Sequence, residues 1–225
     1  TPAYVPPRPV LATAAVKHVG DPVVMVVAET IQQAREAAEL VDIDYDMLPS
    51  LTDTALAAQD GATQIWADAP RNTCFEWSMG DAAATEAAFA KADRVTTVEL
   101  LNNRVVCASI EPRGATGRYD PAYDGYTLNT NCQNVFQLGQ VAAGILGVDE
   151  KQMHVLTDDV GGGFGMKGYI YAEQILVLWA AKALGRPVKW YGDRGESFVS
   201  DAHGRDHVTH AELAMTEDGD FLGLR

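Results

Sequence analysis

The sequence predicts an α+β protein in two parts, a small α/β unit over residues 10–50 and a larger mixed α/β unit from about Phe75 onward. Three observations carry that expectation. Short β-branched runs flank an Ala-, Gln- and Glu-rich helical stretch opened by Thr30. Residues 52–73 lose all sustained periodicity and are rich in Ala and Asp with Gln, Gly and Pro among them, as a linker across a surface would be. Beyond them an apolar β-like run, Met153–Thr157, leads into a glycine-rich stretch and then into an apolar helix-like one, Tyr169–Leu184.

In chain order, Thr1–Pro9 is proline-rich and reads as an extended arm. Ala12–His18 and Val23–Ala28 predict a pair of strands joined at Val19-Gly20-Asp21-Pro22. From Ile31 to Leu40 the spacing of Ile31, Ala34, Ala38 and Val41 predicts a helix. Asp42–Asp46 alternates with period two, as a half-exposed strand does, and stops at Leu48-Pro49. Asp81 is a natural N-cap for a helix over Ala82–Ala92 with Phe89 buried. Strands are expected at Val95–Leu101, Val105–Ile110, Thr116–Tyr119 and Tyr126–Asn131, and a helix over Val135–Leu146 closed by Gly147. Gly185-Arg186-Pro187 ends the long apolar helix, Val188–Tyr191 is a strand, and Asp206–Met215 pairs with Phe221–Leu224 across a turn.

The formal charge of -14 argues against a nucleic-acid or anionic-lipid surface, which needs clustered Lys and Arg. Cys74, Cys107 and Cys132 are scattered and odd in number, which indicates neither a disulfide framework nor a zinc site and fits a reducing compartment. The longest apolar run, Ile175–Ala181, is too short to span a bilayer. A soluble, cytoplasmic protein is the expectation.

Chemistry concentrates in Asp158-Asp159-Val160-Gly161-Gly162-Gly163-Phe164-Gly165-Met166-Lys167-Gly168, where five glycines fall within eight residues, Gly161 to Gly168. Glycine allows positive φ and close backbone approach, and a following helix N-terminus would favour an anionic or oxygen-rich ligand. Gly163–Gly168 also matches G-x-G-x-x-G between a strand and a helix, although the acidic residue expected about 20 positions on is missing. A nicotinamide or flavin dinucleotide, another anion or cofactor, and a purely structural turn all stand open on these residues alone. Asp159 is placed to brace the loop through its N–H groups. His203, His207 and His210 tempt a metal reading, but strand alternation puts positions four apart about 13 Å from each other. Gln133 sits where a strand becomes a helix, with capping by Asn131 or Asn134 as the ordinary alternative, and Glu111-Pro112-Arg113 reads as a turn brace or buried ion pair.

Taken together these pieces resemble the large, molybdopterin-binding subunit of the xanthine dehydrogenase, aldehyde oxidase and carbon monoxide dehydrogenase family. The ordered matches are Val19-Gly20-Asp21-Pro22-Val23, Asp44–Pro49, Gly80-Asp81, Glu111-Pro112-Arg113, Gln133-Asn134, Asp159–Lys167, Gly185–Trp190 and Asp193–Glu196. The resemblance implies the end of an α/β hammerhead domain at residues 1–52, a linker at 53–74 and a first molybdopterin-binding domain, with an incomplete site, at 75–225. It implies that Gly162, Gly163, Phe164 and Gly165 present backbone N–H groups to the oxygen ligands of molybdenum, and that the Gln133 side-chain amide joins them. The metal would be held by pterin sulfurs, with no protein ligand. The expected reaction hydroxylates an aldehyde, N-heterocycle or CO-like substrate with water-derived oxygen. Molybdenum-molybdopterin, including its cytosine dinucleotide form, is the implied cofactor, and 2Fe-2S and FAD are expected on partner subunits or domains of a dimeric assembly. No catalytic residue is expected here, because the family's base glutamate falls past Arg225; the chain reads as an internal piece. Gly168 stands where xanthine dehydrogenases often carry glutamate, and Glu111–Arg113 is atypical of carbon monoxide dehydrogenases, which leans the expectation toward an aldehyde- or heterocycle-oxidising relative.

Overall fold

The structure, a computed structural model, describes residues 3–225; Thr1 and Pro2 of the expected arm lie outside the described residues. It divides into two compact units. One gathers residues up to Pro7, Met47–Val105 and Gly204–Arg225; the other gathers Arg8–Asp46 and Val106–His203. Six α-helices and seven strands make up two sheets among the described residues, so the α+β expectation holds.

The first unit is built on an antiparallel sheet of β1 (Arg94–Asn102), β6 (His207–Met215) and β7 (Phe221–Leu224), in the order β1-β6-β7. The expected strand β6 and its turn to β7 form, with His207 and His210 at exposed positions of the strand. Helix α3 (Ala82–Phe89) begins where Asp81 Oδ1 accepts the Ala84 N–H at 2.9 Å, and Phe89 is only half-buried. Between Asp53 and Asn72 lie a helical turn, α2 (Thr54–Ala57), and a knot of hydrogen bonds. Asn72 there gives its side-chain N–H groups to the Ala57 and Thr63 carbonyls and accepts the Ile65 N–H.

The second unit holds the core. Strands β2 (Gly114–Asp120), β3 (Gly125–Thr130), β4 (Met153–Leu156) and β5 (Val188–Tyr191) form a mixed sheet ordered β4-β3-β2-β5, in which only β3 and β4 pair in parallel. Helix α5 (Ala172–Leu184) lies on it, burying Ile175, Val177, Leu178, Ala180 and Ala181 against Ala115, Leu128 and Val188. Contact is close enough that a Cβ on Gly117 of β2 would fall 2.5 Å from the Val177 carbonyl carbon. Helix α4 (Val135–Leu146) matches its expected limits because Asn134 caps the Gln137 N–H and Gly147 takes the left-handed conformation, φ 69°.

Four expected strands do not form. Ala12–His18 and Val23–Ala28 are irregular. The turn between them exists, with Asp21 accepting the Lys17 N–H at 2.5 Å, but one ladder-like bond, Ala12 N–H to Pro22 O, is too little to make a sheet. Asp42–Asp46 is exposed and unpaired by any strand. In Val105–Ile110 the Ser109 and Ile110 carbonyls, which a ladder would use, accept from the Arg194 guanidinium at 2.5 Å each, and Ala108 has φ 46°. The helix α1 (Ile31–Ala38) does form, with the reciprocal Thr30–Gln33 cap, although Ile31 remains exposed. A helix not anticipated, α6 (Arg194–Ser200), was signalled by Asp193, whose carboxylate caps the Glu196 N–H at 2.7 Å.

Candidate functional site

The glycine loop leaves the end of β4 and is held at both ends by side chains from other segments. At its start Glu111 clamps Gly161. The Glu111 N–H donates to the Gly161 carbonyl at 3.1 Å, and Glu111 Oε2 accepts the Gly161 N–H at 2.8 Å. A Cβ on Gly161 would lie 2.5 Å from that of Glu111, so glycine is required by the closeness of this clamp. At the other end the Gly165 N–H donates to Gln133 Oε1 at 3.0 Å, and the Gln133 N–H donates to the Lys167 carbonyl at 3.1 Å. Asp159, expected to be the brace, is exposed on the surface; Glu111 does that work because its corner after Ile110 brings its carboxylate over the loop.

Between the two clamps the backbone turns through left-handed conformations at Gly162, Phe164 and Gly165, with φ 97°, 50° and 88°. For the aromatic Phe164 this is a costly region, occupied only where surrounding bonds impose it. The residue is 73% exposed. Among the described residues its N–H donates to no acceptor, while the neighbouring amides of Gly162, Gly165 and Met166 are all engaged. Gln133 is exposed, and because its Oε1 is committed to Gly165, its Nε2 is left as an outward donor beside the loop. The resulting surface, Gly163-Phe164-Gly165 with the Gln133 amide, offers donors and no carboxylate. Capping, the ordinary alternative for this region, falls to Asn134 on α4, while Asn131 bridges the Gly114 N–H and Pro112 carbonyl.

Below the loop lies a buried charged layer. The Lys167 side chain is fully enclosed and its Nζ meets Glu111 Oε2 at 2.9 Å. Burial pushes the Glu111 carboxyl up, but hydrogen bonds from Lys167 and the Gly161 amide outweigh it and hold the group below its ordinary value. Arg113, 4% exposed, pairs with Asp201 at 2.7 Å and with Glu173, donates to Ser200, and stacks its guanidinium 3.7 Å from the Tyr171 ring centroid. Both charged residues of Glu111-Pro112-Arg113 are therefore braces, as expected. Lys167 is the member of this layer that sequence reasoning missed.

A dinucleotide cradle is not formed. Helix α5 starts six residues past Met166, after a 3-10 turn at Met166–Gly168, and its first turn is closed by Gln174 accepting the Tyr171 N–H at 2.9 Å. Strands β4 and β5, which flank α5 in sequence, stand at opposite edges of the sheet rather than side by side. No group of three or more His, Cys, Asp or Glu among the described residues is arranged to hold a metal ion.

A family model of the molybdopterin cofactor-binding domain matches residues 65–225. The chain belongs to the molybdopterin cofactor-binding domain family. Residues 3–49 match a second model, the a/b hammerhead domain of aldehyde oxidase and xanthine dehydrogenase, so the resemblance read from the motifs is borne out at both ends. This molybdopterin-binding chain is 34% identical over 218 residues to the 6-hydroxypseudooxynicotine dehydrogenase complex subunit gamma of Paenarthrobacter nicotinovorans, covering 97% of the chain and 27% of that protein. It is also 34% identical over 215 residues to the carbon monoxide dehydrogenase large chain of Hydrogenophaga pseudoflava, covering 90% and 27%. Among solved structures, quinoline 2-oxidoreductase from Pseudomonas putida 86 superposes with a TM-score of 0.82 at 30% identity, over 96% of this chain and 27% of that one. The chain thus spans about a quarter of the length of the relatives it matches.

Proposed function

We propose that the chain supplies the first molybdopterin-binding half-site of a molybdenum hydroxylase, with the domain limits 1–52, 53–74 and 75–225 read from the sequence. Gln133 and the backbone of Gly162, Gly163, Phe164 and Gly165 would face the cofactor. One observation carries this reading: among the described residues the Phe164 N–H and the Gln133 Nε2 meet no acceptor, while the Gly162, Gly165 and Met166 amides and the Gln133 Oε1 beside them are engaged. Such a donor set suits a group rich in acceptor oxygens, and it suits a metal carried by an organic ligand rather than by protein side chains.

When bound, molybdenum-molybdopterin would supply two-electron oxidation of a carbon centre with oxygen from water. This chain's residues orient and bind. The Gly165 N–H holds Gln133 Oε1 and so leaves the Nε2 end of that amide as the free donor, beside the left-handed Phe164. Fixed donors of this kind stabilise developing negative charge without reorganising. Substrates in the aldehyde, N-heterocycle or carbon monoxide class, the cytosine dinucleotide form of the cofactor, partner subunits carrying 2Fe-2S and FAD, a dimeric assembly and a cytoplasmic setting belong to the same reading. Dehydrogenase, hydroxylase and oxidoreductase activities among the relatives support it, and no helix among the described residues is long and apolar enough to cross a membrane.

Molybdenum analysis and pterin fluorescence on the protein purified from its host test the reading, and their absence refutes it. Gln133→Glu keeps the acceptor for Gly165 but turns the outward donor into a carboxylate oxygen. We expect about tenfold less retained pterin, roughly the 1.4 kcal/mol that one charge-opposed hydrogen bond is worth. Unchanged retention would remove Gln133 from the site.

A further inference from the structure

The enclosed Lys167 and its partner Glu111 take no part in the donor surface, yet both clamps of the glycine loop pass through them. Glu111 Oε2 holds the Gly161 N–H at 2.8 Å and Lys167 Nζ at 2.9 Å at once. The Lys167 carbonyl, in turn, holds the Gln133 N–H at 3.1 Å, and Gln133 holds Gly165. The loop is therefore closed into a ring: Gly161 to Glu111, Glu111 to Lys167, Lys167 to Gln133, and Gln133 back to Gly165. Phe164 and Gly163 are the span left between the two anchors. Lysine is rarely enclosed, and this one meets a single carboxylate, that of Glu111, among the described residues. A buried pair of this kind is poor as a source of net stability but strict about geometry, because either partner alone is far worse than both or neither.

We propose that Glu111 and Lys167 are positioning residues, an internal brace that sets the spacing between the Gly161 and Gly165 anchors and so aims the Phe164 N–H and the Gln133 amide at the cofactor; this rests on the reading of the loop as a molybdopterin half-site. Arg194 reinforces the brace from behind, since its guanidinium holds the Ser109 and Ile110 carbonyls and thereby the segment that delivers Glu111.

The test uses the protein purified from its host and two readouts. One is hydrogen–deuterium exchange across residues 161–168 in the cofactor-free protein, and the other is the molybdenum and pterin retained on gel filtration. Glu111→Gln leaves a buried ammonium without its counter-charge. It should speed loop exchange about tenfold or more and lower retained pterin about tenfold, with the interior of α5 as protected as in the wild type. Adding Lys167→Met removes the stranded ammonium while the glutamine still accepts from Gly161, so both readouts should return to within about threefold of the wild type. Equal loss of protection in the loop and α5, or a double variant no better than Glu111→Gln, overturns the proposal. If Glu111→Gln does not fold, Glu111→Asp decides: it keeps the charge beside Lys167 but is one methylene too short to hold Gly161 too. Unchanged loop exchange in that variant also overturns the brace. Variants whose loop exchange changes as expected, made from a wild type that holds no molybdenum or pterin, would uphold the brace and refute the cofactor reading. A wild type that holds both, with variants whose loop exchange is unchanged, would refute the brace alone.

Discussion

At residue scale, the glycines of the loop differ in what they make room for. Gly165 needs its positive φ and has open space around it, whereas Gly163 has no such φ and is crowded instead. A Cβ there would lie 2.5 Å from Gln133 Cδ and 2.6 Å from its Oε1. Gly163→Val should therefore act by evicting the Gln133 side chain, which is exposed and can swing aside. Stability is expected to change by under about 1 kcal/mol, as for other surface substitutions, while retained molybdenum falls severalfold; normal molybdenum content in this variant would contradict the prediction. Glu111 carries a pH signature. Its carboxyl is held below the ordinary value of 4.5, so its contribution is fully present above that value and is lost as pH falls through the lower folded-state value. Acid unfolding of the wild type and Glu111→Gln, followed by circular dichroism, should show a stability gap that is constant near neutral pH and closes toward the acid end. A gap that widens on acidification would mean the sign is wrong. Gln133 and Phe164 became candidates only through resemblance, since nothing in local spacing distinguishes a recognition amide from a cap. The Lys167 brace was not legible because no periodicity announces that a lysine will be enclosed, and its partner lies 56 positions away in the chain.

At element scale, legibility followed local chemistry. Helix α4 could be bounded to the residue because Asn134 and Gly147 are strong, self-contained signals at its ends. Helix α6 carried an equally local Asp193–Glu196 cap that was legible but short. The expected elements that did not form were all strands, whose formation depends on a partner elsewhere: Val23–Ala28 has the right residues and no neighbour to complete a ladder. The tightest inter-element contact is that of β2 with α5. Gly117 abuts helix backbone, with the Val177 carbonyl carbon and the Leu178 nitrogen 2.5 and 2.7 Å from where a Cβ would sit. Neither can yield without shifting α5. Gly117→Ala should cost about 3 kcal/mol and lower the melting temperature by roughly 10 °C, read by thermal denaturation. A change under 1 °C would mean the helix rides loosely on the sheet.

At the scale of the whole molecule, the two units differ in how completely they bury themselves. The sheet of β2–β5 has a closed core under α5. In the other unit every residue of β1 is exposed, among them Val95, Val98, Leu100 and Leu101, the last at 76%. Apolar side chains on both faces of a strand are an aggregation hazard when uncovered. The chain on its own should self-associate despite its charge of -14. Replacing Leu100 with Thr and Leu101 with Lys should raise the concentration at which light scattering begins, about twofold or more by removing the two largest apolar groups of the patch. No change would show that the strand is already shielded.

Phe164 has a consequence for anyone who would make this protein sturdier. Its left-handed backbone opposes its own side chain, so Gly or Asn at 164 would relieve on the order of 1 kcal/mol. A screen that ranks variants by heat resistance alone would favour that exchange. The winners would carry a looser loop between the Gly161 and Gly165 anchors, and on the proposed half-site reading the most heat-tolerant members of the library would be those least able to hold a prosthetic group in register.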